Sequence, residues 1–200
     1  LSDDKTVEET LNWANNNPYL QNKIHILNKI YQSGDALQKK AADVILETAL
    51  YHSGFFAPLY LFGDGKMVRT AEIVKLALRG TSFSGIYPGY KFRLGYSKLG
   101  KNELDRLKEW IDNLYDELVA NEEKHIHLMY KGTGWEEDAK HYFYYSVNKA
   151  YLNLGFSDKY PDTANTINAT IEKGVIKSAV FKDFFFYTND HSLNKFKEIK

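Results

Sequence analysis

The sequence predicts an all-α protein folded as an antiparallel helix bundle. Apolar residues recur three and four positions apart through most of the chain, which is the period of a buried helical face. No segment alternates apolar and polar residues over more than a few positions, so strands are not predicted. Clusters of glycine, proline, asparagine and serine separate the periodic segments. Because 200 residues suffice for one continuous core, we expect a single helical domain over residues 1–200.

Two short helices are predicted within residues 1–35. In the first, over residues 5–16, Val7 and Leu11 lie on one face, and an Asn-Asn-Asn-Pro run stops the helix. The second, over residues 19–32, has its apolar residues on one face. It ends at a Ser-Gly-Asp break, which is also expected to cap the next helix.

The core of the bundle is predicted to begin with two long helices in residues 36–155. The first, over residues 36–62, is apolar on several faces, which is typical of a central helix. The second, over residues 71–96, also has apolar residues on more than one side. Pro88 is expected to kink it, because proline removes a backbone donor and clashes with the preceding turn.

Two further helices and a less regular end complete the predicted fold. Residues 102–130 give the clearest helix, with apolar residues on one face and lysine and glutamate on the other. The next, over residues 135–154, ends at Gly155, a left-handed cap. Residues 156–200 are expected to form a loop, a weak helix over residues 164–173 and an irregular aromatic tail.

The composition limits the classes of function. Lys plus Arg equal Asp plus Glu at 26 each, so no net field attracts nucleic acid or an anionic membrane surface. The absence of cysteine excludes a disulfide framework, a thiolate metal site and a cysteine nucleophile. No apolar run reaches the roughly 20 residues of a membrane span, and the first residues do not form a signal peptide. We therefore expect a cytoplasmic protein with neither nucleic-acid nor membrane partners.

One predicted core helix carries a single glutamate, Glu47, among apolar residues. Helix bundles with apolar central helices often hold two metal ions through inward-facing Glu and Glu-x-x-His side chains. The stretch ILETALYHSGFFAPLYL, residues 45–61, resembles the ligand-bearing helix of class Ib ribonucleotide reductase small subunits, which generate the radical in that enzyme. Other stretches match the family in the same order: TAEIVKL at 70–76, GYKFRLGY at 89–96, NKAYLNLGF at 148–156 and DFF at 183–185.

The resemblance implies a ferritin-like helix bundle and also points to three altered positions. In the family, the helix matching residues 71–96 carries Arg-Asp-Glu-x-x-His-Gly. Its Glu and His are metal ligands, and its Asp belongs to the path that carries the radical to the large subunit. This chain reads RGTSFSG at residues 79–85. Gly80 stands in place of the Asp, Thr81 in place of the Glu and Ser84 in place of the His.

The resemblance further implies a truncated relative without the N-terminal helices of the bundle. The family's N-terminal third, which supplies the other ligands and the radical tyrosine, has no counterpart before Leu1. Of the ligand positions that the resemblance implies, only Glu47 is retained. Because metal pairs need several anionic oxygens and imidazoles that fix the geometry, the hydroxyls of Thr81 and Ser84 are poor substitutes. We expect the position of Glu47 to be empty and no cofactor in this chain, whereas the family holds dinuclear iron or manganese.

The residues around Glu47 allow two interpretations each. A buried carboxylate can be neutral or paired with His52 without any metal, which we favour, or it can keep a residual metal role. Tyr51 and Phe55 match the pocket that lines the radical in the family. A redox-active Tyr51 is one interpretation, and core packing with a bonded hydroxyl is the favoured one.

A second set of candidate ligands lies further along the chain. Glu122 and His125 are spaced like a ligand pair, His127 is nearby, and Asp138 and His141 repeat the spacing on the next helix. They are assigned to the charged side of an amphipathic helix, where the family has no ligands. The favoured prediction is a solvated face, with a weakly bound divalent ion at His125 and His127 as the alternative.

These observations predict a catalytically silent homologue of the ribonucleotide reductase small subunit. It is expected to act by binding or modulating a reductase subunit, or by self-association, and to be inactive alone. The alternative is one piece of a split or longer active ribonucleoside-diphosphate reductase small subunit, and a third interpretation is a remnant without selected activity. Loss of the N-terminal helices is expected to expose apolar faces of the helices at residues 36–62 and 71–96, so an oligomer or a rearranged bundle is predicted.

Overall fold

All regular structure in the described residues is helical, which confirms the predicted all-α bundle. The computed structural model describes residues 4–161 and 167–180, with side chains up to residue 175 in the second range. The expectations for the aromatic tail and for the start of the weak helix lie outside these residues. The helical segments are α1 (Asp4–Asn16), α2 (Pro18–Ser33), α3 (Ala36–Ile45), π1 (Leu46–Leu50), α4 (Tyr51–Gly63), α5 (Val68–Tyr96), α6 (Lys101–Tyr130), α7 (Glu136–Leu154) and α8 (Ala169–Val180).

The predicted breaks near the start of the chain are helix caps. The Asn17 side chain accepts hydrogen bonds from the backbone N–H groups of Tyr19 and Leu20, at 3.0 and 3.1 Å. Asp35 caps α3, and the Gln38 side chain completes a capping box by accepting from the backbone N–H of Asp35 at 2.9 Å. These side chains satisfy N–H groups that have no partner within their helix, which fixes where α2 and α3 begin.

The long helix predicted over residues 36–62 is a continuous helical segment, but its middle residues are not α-helical. Between α3 and α4 the chain makes the π-helical turn π1, in which backbone hydrogen bonds skip one residue more than in an α-helix. The next long helix, α5, contains Pro88 and extends on both sides of it without a break in helical assignment. The described part of the last helix begins at Ala169, and residues 167 and 168 before it are not helical.

The core is centred on α3 and π1, which contact α5 and α7. Ala41, Val44, Ile45 and Ala49 have no solvent exposure. The expectation that the first long helix would expose an apolar face is therefore wrong for these positions, because α2, α5, α6 and α7 cover them.

Close approach between α5 and π1 depends on Gly85. A Cβ placed on Gly85 would overlap the hydroxyl of Thr48, and it would lie 3.6 Å from the Cβ of Glu47. A glycine is thus required where these two helices meet.

Two surfaces remain apolar and exposed. α1 buries none of its residues. Within residues 71–96, as predicted, α5 exposes six large apolar side chains between 44 and 75 %: Ile73, Phe83, Ile86, Tyr87, Tyr90 and Leu94. None of the helices in residues 4–161 and 167–180 combines the length and the apolar character that a membrane span requires.

Candidate functional site

Glu47, the ligand position predicted from the family resemblance, is the second residue of π1 and is partly exposed. Within residues 4–161 and 167–175, no side chain or backbone donor hydrogen-bonds its carboxylate. Burial and then the charge of Asp43, one turn earlier, raise the pKa of Glu47. The favoured interpretation, a Glu47 without metal that is neutral or paired, stays a prediction; His52 is not the partner, because its ring contacts two hydroxyl groups instead.

The three positions that the family resemblance predicts to have lost their functional side chains, Gly80, Thr81 and Ser84, lie on α5. Thr81 is partly buried and donates its hydroxyl to the backbone carbonyl of Leu78 at 3.1 Å. Ser84 is exposed, one residue before Gly85, where α5 touches π1. A Cβ on Gly80 would meet nothing within 4 Å. Packing therefore does not exclude an aspartate at residue 80.

His52, on α4, connects the position of Thr81 to α7. Its Nε2 lies 3.5 Å from the Thr81 hydroxyl and its Nδ1 lies 3.4 Å from the Ser146 hydroxyl. Burial lowers the pKa of His52 to about 4, so the ring is neutral at pH 7 and carries one N–H. Ser146 donates its own proton to the Tyr142 carbonyl at 3.0 Å, as Thr81 does to Leu78. Since both hydroxyls can then only accept, the neutral ring can bond one of them at a time.

The donors around Glu47 do not fit a pair of metal ions. One carboxylate and the hydroxyls of Thr81 and Ser84 supply one negative charge, and the Thr81 hydroxyl is already bonded to Leu78. Across the described part of the chain, no group of three or more His, Cys, Asp or Glu side chains is arranged to hold a metal. These described residues by themselves therefore lack the donors that a dinuclear centre needs.

Tyr51 is not packed in the core, contrary to the favoured interpretation. It is 45 % exposed, because one turn after Glu47 the helix turns this side chain toward a surface groove. Phe55 lies one turn further, partly buried, with its ring centroid 5.9 Å from that of His52. Both residues line a groove of about 660 Å³ between α1, α2 and α4.

Glu122 is buried, which corrects the prediction of a solvated face. Its carboxylate has no exposure and accepts hydrogen bonds from the Ser53 hydroxyl at 2.5 Å, the Lys23 ammonium at 2.8 Å and His125 Nδ1 at 3.2 Å. Burial opposes ionisation of Glu122, but the contacts with His125, Lys23 and Ser53 outweigh it and lower its pKa. His127 fits the prediction, since it is 54 % exposed and pairs with Glu136 at 2.8 Å, and His141 is also exposed.

A signal for this buried glutamate was present in the sequence. Glu122 follows Leu118 by four residues and precedes Ile126 by four, and both neighbours are buried on α6. The glutamate therefore lies on the apolar stripe of the helix and not on its charged side. The spacing from Glu122 to His125 directed attention to metal ligation, whereas the pair forms part of an internal charge cluster.

Comparisons with known proteins agree with this bundle. The family model for the ribonucleotide reductase small chain matches residues 1–169. The subunit beta nrdF1 of the ribonucleoside-diphosphate reductase of Mycobacterium tuberculosis is 33 % identical over 186 residues, covering 93 % of this chain and 58 % of that protein. The ribonucleoside-diphosphate reductase 2 subunit beta of Escherichia coli K12 gives the same identity and coverage. The chain thus spans a little more than half the length of these relatives.

Solved structures lead to the same assignment. The dimanganese(II)-NrdF of Streptococcus sanguinis superposes with a TM-score of 0.84 and 43 % identity, covering 88 % of this chain and 62 % of that one. A putative class I ribonucleotide reductase from Bacillus halodurans shares the fold, with a TM-score of 0.73 and 18 % identity, covering 89 % of this chain and 66 % of that one. The extended family match, the NrdF-like relatives and the common helical architecture show that the chain belongs to the ribonucleotide reductase small chain family, with class Ib members among its relatives.

Proposed function

We propose that this chain is a catalytically silent relative of the reductase small subunit that acts by binding or modulating a reductase subunit. The observation that carries the proposal is the donor set at the former metal positions, where Gly80, Thr81 and Ser84 accompany the single carboxylate of Glu47. The proposal places the protein in the cytoplasm, which the absence of cysteine favours.

The physical reason for expecting no catalytic activity is the charge balance between two metal ions and the side chains around Glu47. Two divalent ions leave a large uncompensated positive charge next to one carboxylate, and a neutral hydroxyl does not offset it. His52 supplies no compensation either, because its two ring nitrogens face the hydroxyls of Thr81 and Ser146. Without a metal pair, no radical forms on Tyr51 or on any other side chain of this chain by the chemistry of the family.

Metal loading tests the silent character. After incubation with Fe(II) or Mn(II) and desalting, elemental analysis is expected to find less than one tightly bound ion per chain, and electron paramagnetic resonance is expected to find no tyrosyl radical. The matched variant Thr81→Glu/Ser84→His restores two ligands beside Glu47 and is expected to retain more metal than the parent under the same conditions. Two tightly held ions per parent chain together with a radical signal would overturn the proposal.

Association with a reductase tests the interaction role. Calorimetric titration with a class Ib large subunit, and separately with an intact class Ib small subunit, is expected to show binding to one of them. The same mixtures are expected to show altered ribonucleotide reduction relative to the enzyme without this chain. Absence of binding to both subunits would contradict an interaction role and leave a remnant without selected activity.

The coverage of the relatives supports one alternative, in which this chain is a piece of a split or longer active small subunit. The chain matches 58 % of the nrdF1 protein. By the family resemblance, the remainder of such a protein carries an Asp, another Glu-x-x-His and the radical tyrosine, but not the two ligands that Thr81 and Ser84 replace in this chain. Co-expression with the N-terminal part of a class Ib small subunit separates the two proposals. A complex that loads two metal ions and forms a radical would establish the alternative, whereas a complex without metal would favour the silent subunit.

A further inference from the structure

A groove between α2 and α6 lies apart from the helices that carry Glu47 and Thr81. Its volume is about 510 Å³, which is within the range of pockets that hold small molecules. One wall is α2 with the turn into α3, the other wall is α6, and none of the lining residues belongs to α1, π1 or α5. The groove is therefore a candidate site for a small molecule that is separate from the position of Glu47.

The two walls run antiparallel, which fixes the residues that face each other across the groove. Near one end, the Asn22 side chain donates to the Asn121 side chain at 3.0 Å. The later residues of α2 share the groove with residues 110–117 of α6, which come before Asn121. Counted from this contact, Lys29 lies level with Leu114, and Ser33 lies level with Trp110.

The walls carry two opposite charges that are not paired with each other. The ammonium of Lys29 on α2 and the carboxylate of Glu117 on α6 both line the groove and are both exposed. Along the helix axes they are separated by about three residues, or about 4.5 Å. Within residues 4–161 and 167–175, neither side chain forms an ion pair. A ligand with an anionic group next to a cationic group would bind both walls through charge-assisted hydrogen bonds.

The rest of the groove is suited to an apolar ring. Trp110 is partly buried and lies four residues along α6 from the level of Lys29, or about 6 Å, which is comparable with the reach of an aromatic side chain from its α-carbon. An aromatic ring can pack on the indole in an offset or edge-to-face arrangement. The floor between these positions consists of aliphatic side chains that are 6 to 8 % exposed: Ile26, Ile30 and Leu114.

We infer that this groove binds a free aromatic amino acid. The carboxylate of the ligand binds the Lys29 ammonium, the ammonium of the ligand binds the Glu117 carboxylate, and the ring lies on the floor against Trp110. The Ser33 hydroxyl donates its proton to the Lys29 carbonyl at 2.8 Å, so it can accept a hydrogen bond from a ring that carries an N–H or O–H group. Tryptophan and tyrosine are thus favoured over phenylalanine. The inference does not depend on the catalytic silence proposed above.

Calorimetric titration of the full chain with L-tryptophan and its analogues tests the class of ligand. Saturable binding of tryptophan is expected. N-acetyl-tryptophan lacks the ammonium and tryptophanamide lacks the carboxylate, so each is expected to bind about tenfold more weakly or worse. Glycine has both charges but no ring, and is expected not to bind. Undiminished binding of either tryptophan analogue would exclude recognition of both charges.

Two substitutions test which wall holds which charge. Lys29→Gln and Glu117→Gln are each expected to weaken tryptophan binding by about tenfold. In Lys29→Gln, tryptophanamide is expected to bind as tightly as tryptophan, because the contact with the carboxylate is already lost. The equivalent result is expected for N-acetyl-tryptophan in Glu117→Gln. The matched controls are Glu109→Gln and Lys124→Gln, exposed on α6 outside the groove, which should leave Kd unchanged.

Three further results would overturn the inference. Absence of binding by tryptophan and by tyrosine up to their solubility limits would show that the groove is not a site for aromatic amino acids. Binding that is unchanged in both Lys29→Gln and Glu117→Gln would place the ligand elsewhere on the chain. Equal losses in these variants and in the two controls would mean that the net charge of the protein, and not the groove, governs binding.

Discussion

Two glutamates of neighbouring helices have opposite surroundings. Glu122, on α6, is fully buried and accepts hydrogen bonds from Ser53, Lys23 and His125, which lower its pKa. Glu47, on π1, is partly exposed, and burial followed by the charge of Asp43 raises its pKa. The comparison teaches that the glutamate at a ligand position of the family can stand without a bonded donor among the described residues, whereas a glutamate outside that ligand set is held by three donors.

The largest expected effect is at the buried glutamate. Glu122→Gln removes the charge that pairs with Lys23, whose side chain is only 13 % exposed. Breaking a buried ion pair leaves an uncompensated charge, so the free energy of unfolding is expected to fall by about 3 to 5 kcal/mol. Urea denaturation at pH 7 measures it, with the exposed Glu109→Gln as the control. A loss no larger than that of the control would remove the contrast between the two glutamates.

The second-largest expected effect concerns His52, whose ring lies beside the Thr81 hydroxyl. Its folded pKa of about 4 lies below the usual value of 6.5, so the unfolded chain takes up the proton first as the pH falls. The free energy of unfolding is expected to decrease between pH 6.5 and 4, by at most about 3 kcal/mol. Denaturation at a series of pH values measures this slope.

His52→Gln supplies the control for that slope. Its uncharged side chain can still reach the hydroxyls of Thr81 and Ser146, and it does not titrate. The variant is expected to lose less stability than the parent between pH 6.5 and 4. An identical slope in both proteins would mean that other groups cause the acid sensitivity.

Two glycines of α5 differ in the space around them, and replacing each with alanine tests how closely α5 packs near Glu47. Gly85→Ala is expected to destabilise the fold by about 1 to 3 kcal/mol, because its Cβ overlaps the hydroxyl of Thr48. Gly80→Ala meets open space and is expected to stabilise the helix by up to about 1 kcal/mol. Thermal unfolding of both variants measures the expected loss of stability in the first and the expected gain in the second. Destabilisation by Gly80→Ala would indicate that residue 80 is constrained by something other than packing.

The smallest effect is at Glu47 itself. Its raised pKa means that ionisation costs stability above pH 4.5, the ordinary value for glutamate. Glu47→Gln is therefore expected to increase the free energy of unfolding at pH 7 by about 0.5 kcal/mol and to have less effect below pH 4.5. Glu122 has the opposite sign, since its lowered pKa gives stability that is lost as the pH falls. Destabilisation by Glu47→Gln at pH 7 would reveal an ionised partner for this carboxylate.

The fold could be predicted because its determinants are local. Helical periodicity and caps such as Asn17 and Asp35 act within a few residues, so they can be read from the sequence. The π1 turn was not predicted, because its single extra residue leaves the apolar pattern of the long helix almost unchanged.

The site was less predictable because its determinants are contacts between distant segments. The family resemblance identified Glu47 and the altered positions on α5, but the bonds of Glu122 join α6 to α2 and α4. Tyr51 was assigned to the core by its apolar surroundings in sequence, whereas its exposure depends on which helices lie beside α4. Such side-chain environments follow from the packing of the helices and not from local spacing.

The π1 turn has a consequence for how this helix tolerates changes in length. Removing one residue from an α-helix rotates everything after it by about a third of a turn, which would pull Phe56 and Leu59 out of the core. A π turn already contains one residue in excess. Deleting a single residue within Leu46–Leu50 would convert the turn into regular α-helix and keep the register of α4, so this short stretch is where evolution can add or discard a residue in the middle of the bundle.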